Sequence, residues 1–130
     1  MILEHKNQRY AVGNIHGLWL SGTKDDTPKR IEQARALIDF VGKRSEKTIL
    51  CGDFNLAPDT KSIAIIGAHL RDLIKEYKVS TTRNRNYADM GKYKDYIADY
   101  MFVSRDVNVK NFWVLPNEVS DHLPLLLEFS

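Results

Sequence analysis

Alternating runs of apolar and polar residues at the start of the chain predict a β-hairpin. Residues that favour strands fill 2–5 and 9–15 and flank a turn-forming sequence over 6–8. The polar residues 21–27 then indicate a loop. We therefore expect two paired strands within residues 1–20, followed by a polar connection.

The next segment has the periodicity of an amphipathic helix over residues 28–46. Its apolar residues recur at steps of three and four positions: Ile31, Ala34, Leu37, Ile38 and Val41. Thr27 offers a side-chain oxygen as a cap, and Pro28 suits the first helical position. Asp25 and Asp26 lie close to the positive end of the expected helix dipole.

A short apolar run over 48–51 predicts a buried strand that ends abruptly at Gly52. Residues 59–68 then favour a second helix, with Asp59 or Thr60 as its cap. We expect a loop between this strand and this helix.

The rest of the chain adds a polar segment and three strand candidates. Residues 70–78 fit a helix or a strand equally, and residues 80–93 indicate an exposed polar loop. The strand candidates are 96–103, 107–114 and 123–129. The pattern predicts one domain over 1–130 in which strands and helices are mixed.

Composition narrows the class of protein. Hydrophobic residues make up 43% of the sequence and charged residues 28%, as in an ordinary soluble globular protein. A formal net charge of +2 argues against a protein that binds nucleic acid by charge alone, although a few local cations can hold a phosphate. The single cysteine, Cys51, excludes an internal disulfide and fits a reducing compartment. Because there is also neither a basic-then-apolar leader nor an apolar run of about 20 residues, we expect a cytoplasmic protein without a membrane partner.

Gly52-Asp53-Phe54-Asn55 places polar side chains directly after the short apolar strand. In an extended segment, side chains two positions apart point to the same side, so Asp53 and Asn55 can converge on one target. A carboxylate that holds water beside a carboxamide that donates to an anionic oxygen suits hydrolysis at phosphorus. The alternative is a polar turn, where Asp and Asn are common.

Ser120-Asp121-His122 stands at the start of the last apolar run. The Asp121 carboxylate can bind a hard cation while the His122 imidazole faces a phosphate or a water. The alternative is a turn with Asp121 as a cap and His122 on the surface.

Asp99 enters the apolar segment 96–103 and needs a partner there, because a buried unpaired carboxylate is costly. A histidine is a natural partner, since the carboxylate would hold it in one tautomer. Asp95 has a similar setting four residues earlier, but the stronger strand follows Asp99, which we therefore prefer.

Asn14-Ile15-His16-Gly17 lies at the expected end of the first hairpin. Taken alone, His16 is more typical of a surface or strand-end histidine than of a functional one. His5 and His69 have no comparable setting, and we assign both to structure or solvent.

Four motifs form an ordered set, each at the expected end of a strand: Asn-Ile-His, Gly-Asp-Phe-Asn, Ala-Asp-Tyr and Ser-Asp-His. With them the sequence resembles the endonuclease/exonuclease/phosphatase superfamily, which includes DNase I-like nucleases, abasic-site endonucleases and inositol or sphingolipid phosphoesterases. The resemblance runs from about residue 9 to residue 129. It implies half of a four-layered α/β/β/α sandwich, with a mixed, mainly antiparallel sheet and helices on one face.

The resemblance also implies roles for the matching residues. Asp53 would orient or deprotonate the attacking water, and Asn55 would help to position the phosphate. His122, oriented by Asp99, would hydrogen-bond the phosphate or share in proton transfer, and His16 would contact a phosphate oxygen. A Mg²⁺ or Mn²⁺ ion would stabilise charge on the leaving oxygen, and the implied ligands are Asp121, Asp53 and Asn55.

The superfamily's domain is much longer than this chain. Its first half supplies an Asn and a Glu that is the principal metal ligand, and Glu4 does not match it because it lies in the hairpin that should follow that half. We therefore expect part of a longer enzyme. The alternatives are a half-domain that forms a homodimer through an exposed sheet face, and a degenerate protein that has lost its activity.

Three functions are compatible with these features. The first is metal-dependent hydrolysis of a phosphodiester, as in a nuclease acting on DNA or RNA, or of a small phosphomonoester. The second is a non-catalytic binding or interaction module on the same scaffold. The third is a nucleic-acid binder that uses four cations, Arg83, Arg85, Lys92 and Lys94, with Tyr87 and Tyr93 stacking on bases. The cations fit a solvated loop better, although in a nuclease they could hold a nucleic-acid backbone near the site, and loop tyrosines are as often packing residues.

Overall fold

The computed structural model describes residues 1–88, 91 and 96–130. Across these residues the chain forms seven strands and three helices. In chain order they are β1 (Ile2–His5), β2 (Gln8–His16), α1 (Pro28–Gly42), β3 (Lys47–Asp53), α2 (Lys61–His69), β4 (Arg71–Asp72), α3 (Leu73–Glu76), β5 (Asp99–Val103), β6 (Val109–Val114) and β7 (Leu125–Phe129).

A five-stranded sheet with the order β1-β2-β3-β5-β4 lies at the centre of the fold. Strands β2 and β3 are parallel, whereas the pairs β1/β2, β3/β5 and β4/β5 are antiparallel. Strands β6 and β7 pair with each other in a separate two-stranded sheet. The predicted fold class, mixed α/β with a mainly antiparallel sheet and helices, is confirmed.

The first hairpin is present where the sequence predicts it, but its turn is tighter. Gln8 pairs with His5 and belongs to β2, so it is not part of the turn. The two remaining turn residues, Lys6 and Asn7, have φ angles of 48° and 61°. Two successive left-handed residues match the twist of the flanking strands, which favours this short connection.

Helix α1 begins at the predicted residue and ends at Gly42 rather than near residue 46. The Thr27 side chain caps it by accepting a hydrogen bond from the Arg30 backbone amide. Helix α2 is capped by Thr60, one of the two caps predicted for it. Within the described part of the chain, no helix has the length and apolar character needed to cross a membrane.

Asp26 caps the second helix, although the sequence places it nearest to the first. Its carboxylate accepts hydrogen bonds from the Lys61 amide at 2.5 Å and from the Ser62 amide at 3.0 Å. The Ser62 hydroxyl donates to the same carboxylate at 2.5 Å. The loop before α1 is therefore fastened to the start of α2.

Residues 70–78 contain both elements between which the sequence could not decide. A two-residue strand, β4, pairs with β5, and α3 follows directly. Asp72 ends the strand and caps the helix by accepting from the Lys75 amide at 3.2 Å. The three later strands are shorter than their candidates but lie within them.

Aromatic side chains pack in the core beneath the end of β3. The Phe54 ring lies 5.5 Å from the Tyr100 ring and 5.4 Å from the Phe102 ring, centroid to centroid. The Tyr100 hydroxyl donates to the Leu56 carbonyl at 2.9 Å. These contacts fix the loop after β3, which carries the first predicted site motif.

The prediction of an exposed loop over residues 80–93 is wrong for Thr82, Arg83 and Asn84, which are only 0%, 6% and 8% exposed. Their polar groups pair with a segment far along the chain. The Leu123 amide donates to the Thr82 carbonyl at 2.8 Å, and the Asn84 amide donates to the Asp121 carbonyl at 3.2 Å. Hydrogen bonding therefore permits burial of a sequence that is polar throughout.

Candidate active site

Three strands of the central sheet bring predicted site residues to the same end of the sheet. Because β2 and β3 are parallel, their last residues, His16 and Asp53, lie side by side in register. Strand β5 runs antiparallel to β3 and begins at Asp99, the register partner of Asp53. Residues from three separate stretches of sequence thus meet at the same end of the sheet.

Two glycines allow the ends of β2 and β3 to approach closely. Gly52 has a φ of 134°, and a Cβ atom there would lie 2.0 Å from the Ile15 carbonyl oxygen. A Cβ atom at Gly17 would lie 2.3 Å from the Phe54 carbonyl oxygen. The absence of side chains permits the 2.7 Å hydrogen bond from the Gly17 amide to the Asp53 carbonyl.

Asp53 and Asn55 line the same cleft, but the segment that carries them is not extended. Asn55 has a left-handed φ of 54°, and its amide donates to Asp53 Oδ1 at 2.8 Å. Asparagine adopts this conformation more readily than most residues. The Asn55 side-chain nitrogen donates to the Gly17 carbonyl at 3.2 Å. The side-chain oxygen of Asn55 therefore remains available as an acceptor.

Asp99 and His122 form a hydrogen-bonded pair. His122 Nδ1 lies 2.8 Å and 2.9 Å from the two carboxylate oxygens of Asp99. The Thr82 hydroxyl donates to Asp99 Oδ2 at 2.8 Å. Burial raises the pKa of the Asp99 carboxyl, against the opposing effects of Thr82 and His122. With a proton on Nδ1 shared with Asp99, the other ring nitrogen is directed to Asp53, whose Oδ2 lies 3.7 Å from Nε2.

Arg83 lies at the centre of these groups, although the sequence placed it only among four cations of a solvated loop and not among the site residues. Its Nη1 is 2.8 Å from Asp121 Oδ2, and its Nη2 is 3.5 Å from Asp53 Oδ2. Nη1 also makes a short contact with His122 Nε2. The prediction of a solvated side chain is therefore wrong for Arg83. No local signal marks it, because Asp121 and His122 lie 38 and 39 residues away in sequence.

These side chains line a cleft of about 540 Å³. His16 is an exposed residue of this cleft, and the Asp121 side chain is 41% exposed. Residues from the loop after β2 and one aromatic residue complete the lining: Trp19, Leu20, Ser21, Gly22, Thr23, Lys24 and Tyr87. The cleft thus combines carboxylates, imidazoles and cations with two aromatic rings.

A second buried arginine holds the loop that forms this wall. Arg30 is 1% exposed and donates to the carbonyls of Leu18 at 3.2 Å, Thr23 at 3.1 Å and Asp25 at 2.6 Å. Burial lowers the pKa of the Arg30 guanidinium, and the charges of Asp25 and Asp26 oppose that shift. The loop is therefore fixed by hydrogen bonds from the Arg30 side chain to its backbone carbonyls.

The remaining candidates lie apart from the cleft or outside the described residues. His5 is exposed in β1, and His69 ends α2 with its Nδ1 3.1 Å from the Ile65 carbonyl. Arg85 has a side chain that is 82% exposed and pairs with Glu118 at 3.0 Å. Four residues named in the sequence predictions fall outside the described part: Lys92, Tyr93, Lys94 and Asp95.

The chemistry of the donor set fits a hard divalent cation. Asp53, Asp99 and His122 present ligand atoms within 4.8 Å of one another. The Asp99 carboxylate pairs with Thr82 and His122, whereas Asp53 and Asp121 line the cleft and are therefore the more accessible ligands from this chain. Mg²⁺ takes about six oxygen ligands, so water and further groups would have to complete its shell.

The sequence model of the Endonuclease/Exonuclease/phosphatase family matches residues 8–122. The chain belongs to this family. Its members are generally hydrolases that act on phosphoester bonds, and they typically use divalent metal ions. The match confirms the resemblance seen in the four motifs. No curated protein matches the chain in sequence.

Solved structures share the fold at low sequence identity. A functionally unknown conserved protein from Enterococcus faecalis V583 is 19% identical with a TM-score of 0.73, over 96% of this chain and 51% of that one. The mannosyl-6-phosphatase of Bacteroides thetaiotaomicron VPI-5482 is 19% identical with a TM-score of 0.63, over 95% and 51%. The human Nocturnin catalytic domain, solved with a bound sulfate anion, is 22% identical with a TM-score of 0.65, over 96% and 48%. This chain spans about half the length of the structures it matches.

Proposed function

We propose that this protein hydrolyses phosphoesters, with phosphodiesters as the favoured class, in a reaction that depends on Mg²⁺ or Mn²⁺. The observation that carries the proposal is the Asp99–His122 pair beside Asp53 in one cleft. His122 Nδ1 is 2.8 Å from Asp99, and its Nε2 is 3.7 Å from Asp53. An imidazole oriented by one carboxylate and facing another suits proton transfer around an attacking water. Membership of the family supports the same reaction class.

In this proposal each residue has a distinct task. Asp53 orients the attacking water and takes its proton as the water oxygen bonds to phosphorus. The bond from phosphorus to the leaving oxygen breaks, that oxygen takes a proton from solvent water, and Asp53 afterwards returns its proton to solvent. Asn55 and His16 position the phosphate, while His122, oriented by Asp99, hydrogen-bonds the phosphate.

A divalent cation, when bound, would supply charge stabilisation at the leaving oxygen. Asp121 and Asp53 would hold it through their carboxylates, with the Asn55 side-chain oxygen as a further ligand. The hydrogen bond from the Asn55 side-chain nitrogen to Gly17 supports this assignment, because it fixes which end of the amide remains an acceptor.

The proposal fixes the reaction but leaves several classes of phosphoester as substrates. DNA, RNA and small phosphoesters all present the phosphate that the cleft residues would bind. The similarity to a mannosyl-6-phosphatase keeps phosphomonoesters as the alternative. The homodimer, one of the alternatives that the sequence left open, and the cytoplasmic location expected from the sequence stay predictions.

A non-catalytic binding module is the second candidate. It is favoured by the ion pairs that Arg83 makes with Asp53 and Asp121, because a residue of the chain itself then occupies both carboxylates. Such a module would bind a phosphate-bearing molecule and release it unchanged.

Hydrolysis assays with Mn²⁺ or Mg²⁺ separate the two candidates. Bis(p-nitrophenyl) phosphate serves as the diester and p-nitrophenyl phosphate as the monoester, and release of nitrophenol is measured. We expect Asp53→Ala to lower the rate by at least about a hundredfold. Asp39→Ala, which removes an exposed carboxylate from α1, should leave the rate unchanged.

Equal rates in the wild type and Asp53→Ala would refute the proposed chemistry. Binding of the substrate without release of nitrophenol by any of the proteins would support the binding module instead.

A further inference from the structure

Arg83 is a buried cation that contacts several groups of the cleft at once. Its side chain is 7% exposed, and its guanidinium reaches Asp121 at 2.8 Å and Asp53 at 3.5 Å. It also contacts His122 Nε2. The guanidinium lies over the Tyr87 ring, with Cζ 4.6 Å from the ring centroid. The cation therefore occupies the space between residues that the proposed function assigns to water, metal and phosphate.

The backbone that carries Arg83 is firmly held. The Arg83 amide donates to Thr81 Oγ1 at 3.0 Å, and the Thr81 hydroxyl donates to the Arg83 carbonyl at 2.7 Å. The Arg83 backbone also forms an isolated antiparallel β-bridge with His122. Main-chain position is thus fixed, whereas the contacts at the end of the side chain are ion pairs that another cation can replace.

A divalent cation would compete with Arg83 for the same two carboxylates. Hard cations bind carboxylate oxygens directly. Asp53 Oδ2 and Asp121 Oδ2 are the atoms to which Arg83 is paired. Because two positive charges this close repel strongly inside a cleft, binding of the metal to both carboxylates has to break the Arg83 pairs.

The displaced guanidinium has a natural second partner in the cleft. Its planar fork can donate two parallel hydrogen bonds to a phosphate, which a single ammonium cannot do. The Tyr87 ring would keep the plane of the fork in place during the change. The Arg83 guanidinium, released from the carboxylates by the metal, would then bind the phosphate that the metal attracts.

We propose that Arg83 exchanges partners: it pairs with Asp53 and Asp121 in the metal-free chain and binds the phosphate once a divalent cation takes those carboxylates. This inference rests on the proposed function, because that proposal assigns both carboxylates to the metal. It makes Arg83 a phosphate-binding residue and, before loading, a competitor of the cation.

Binding measurements on Arg83→Gln test the exchange, with Arg85→Gln as the matched exposed control. Calorimetric titrations would use Mn²⁺ alone, and then inorganic phosphate at saturating Mn²⁺. We expect Arg83→Gln to bind Mn²⁺ at least about tenfold more tightly and phosphate at least about tenfold more weakly than the wild type. Arg85→Gln should stay within about twofold for both.

The opposite signs of the two changes identify the exchange, since mere damage to the fold would weaken both. Arg83→Gln that binds Mn²⁺ no more tightly than the wild type would overturn the inference. Unchanged phosphate affinity would overturn it as well.

A measurement on the wild-type protein does not depend on how the variant folds. Arg83 Nε is buried without a hydrogen-bond partner among the described residues, so its N–H group should give a protected signal in ¹⁵N NMR spectra. Loss of that signal in Arg83→Lys assigns it. During a Mg²⁺ titration it should shift together with the Asp53 amide, and a stationary signal would overturn the inference.

Asp53→Asn distinguishes failure of this inference from failure of the proposed function. If Asp53→Asn does not weaken Mn²⁺ binding, the proposed metal site is wrong and the exchange falls with it. If Asp53→Asn weakens Mn²⁺ binding but Arg83→Gln does not strengthen it, only the exchange is wrong.

Discussion

Arg30 and Arg83 are both buried, at 1% and 6% exposed, yet they bind different kinds of partner. Arg30 donates to three backbone carbonyls of the loop that walls the cleft. Arg83 pairs with side chains, the carboxylates of Asp53 and Asp121 and the ring of His122. The first set of partners belongs to the loop's own backbone, while the second set belongs to the candidate active site.

Burial of the same type of side chain therefore has different consequences at the two positions. The three backbone carbonyls that accept from the buried Arg30 guanidinium lose a charge-assisted hydrogen bond when it is removed. The carboxylates beside Arg83 line an open cleft, where water or a metal can take its place. We therefore expect the fold to depend on Arg30 and ligand binding to depend on Arg83.

The largest predicted effect on stability is at Arg30. Arg30→Gln should lower the free energy of unfolding by about 3–5 kcal/mol, because three loop carbonyls lose their donor and a fully buried side chain is replaced. Arg83→Gln should cost less than about 1 kcal/mol, since water can solvate the carboxylates that it leaves. Urea denaturation measures both, and Arg35→Gln on the exposed face of α1 serves as the control. Equal losses of unfolding free energy in the Arg30 and Arg83 variants would contradict the different roles assigned to the two arginines.

A smaller loss is predicted at Thr82, which holds the Arg83 segment in place. The Thr82 hydroxyl donates to Asp99 and accepts from the amides of Ala98 and Asp99 at 3.1 Å and 3.2 Å. Thr82→Val should therefore cost about 2–3 kcal/mol of unfolding free energy, while Thr82→Ser, which keeps the hydroxyl, should cost less. Thermal and urea unfolding of the two variants provide the measurement. If Val and Ser are equivalent here, the segment is held by packing and not by these hydrogen bonds.

Asp26 should contribute about 1 kcal/mol as the cap of α2. Although burial acts to raise it, hydrogen bonds from Ser62 and Lys61 lower the pKa of the Asp26 carboxyl. The stability from this group is thus present above its ordinary value of 3.8 and is lost as the pH falls through the lowered value. In Asp26→Asn, the unfolding free energy measured as the pH falls below 3.8 should no longer show this loss of stability. Asp25→Asn, one residue away, should leave it intact.

The smallest effect is predicted for Asp99 and has the opposite sign. Because burial raises the pKa of Asp99, the fold favours its protonated form. The stability that this group contributes is present in full below 3.8 and is lost as the pH rises through the raised value. The unfolding free energy of the wild type relative to Asp99→Asn should therefore decline over that range. A difference that grows with pH would contradict the assigned direction.

The residues around the cleft that the sequence could predict are those that end apolar strands. The run before Gly52 indicates a buried strand, so the polar residues Asp53 and Asn55 must emerge at its end. Asp99 is predictable for the same reason, because a carboxylate that enters an apolar strand needs a partner. These inferences use only neighbours in sequence.

The features that the sequence could not reveal depend on pairing between distant segments. Arg83 stands in a polar stretch whose local pattern favours a solvated loop, and its burial follows from hydrogen bonds to the segment around Asp121. Asp26 precedes α1 but caps α2, 35 residues from Lys61. Periodicity carries no information on such contacts, because it reports one element at a time.

Hydrolysis of a phosphodiester in ¹⁸O-labelled water tests the proposed site most directly. With Mg²⁺ present, ³¹P NMR of the product shows whether water oxygen has bonded to phosphorus. We predict that the wild type transfers ¹⁸O to the phosphate and that Asp53→Ala and His122→Ala do so at least about a hundredfold more slowly. Product without ¹⁸O on phosphorus, or labelling at the wild-type rate in Asp53→Ala, would contradict the assignment of this cleft as the hydrolytic centre.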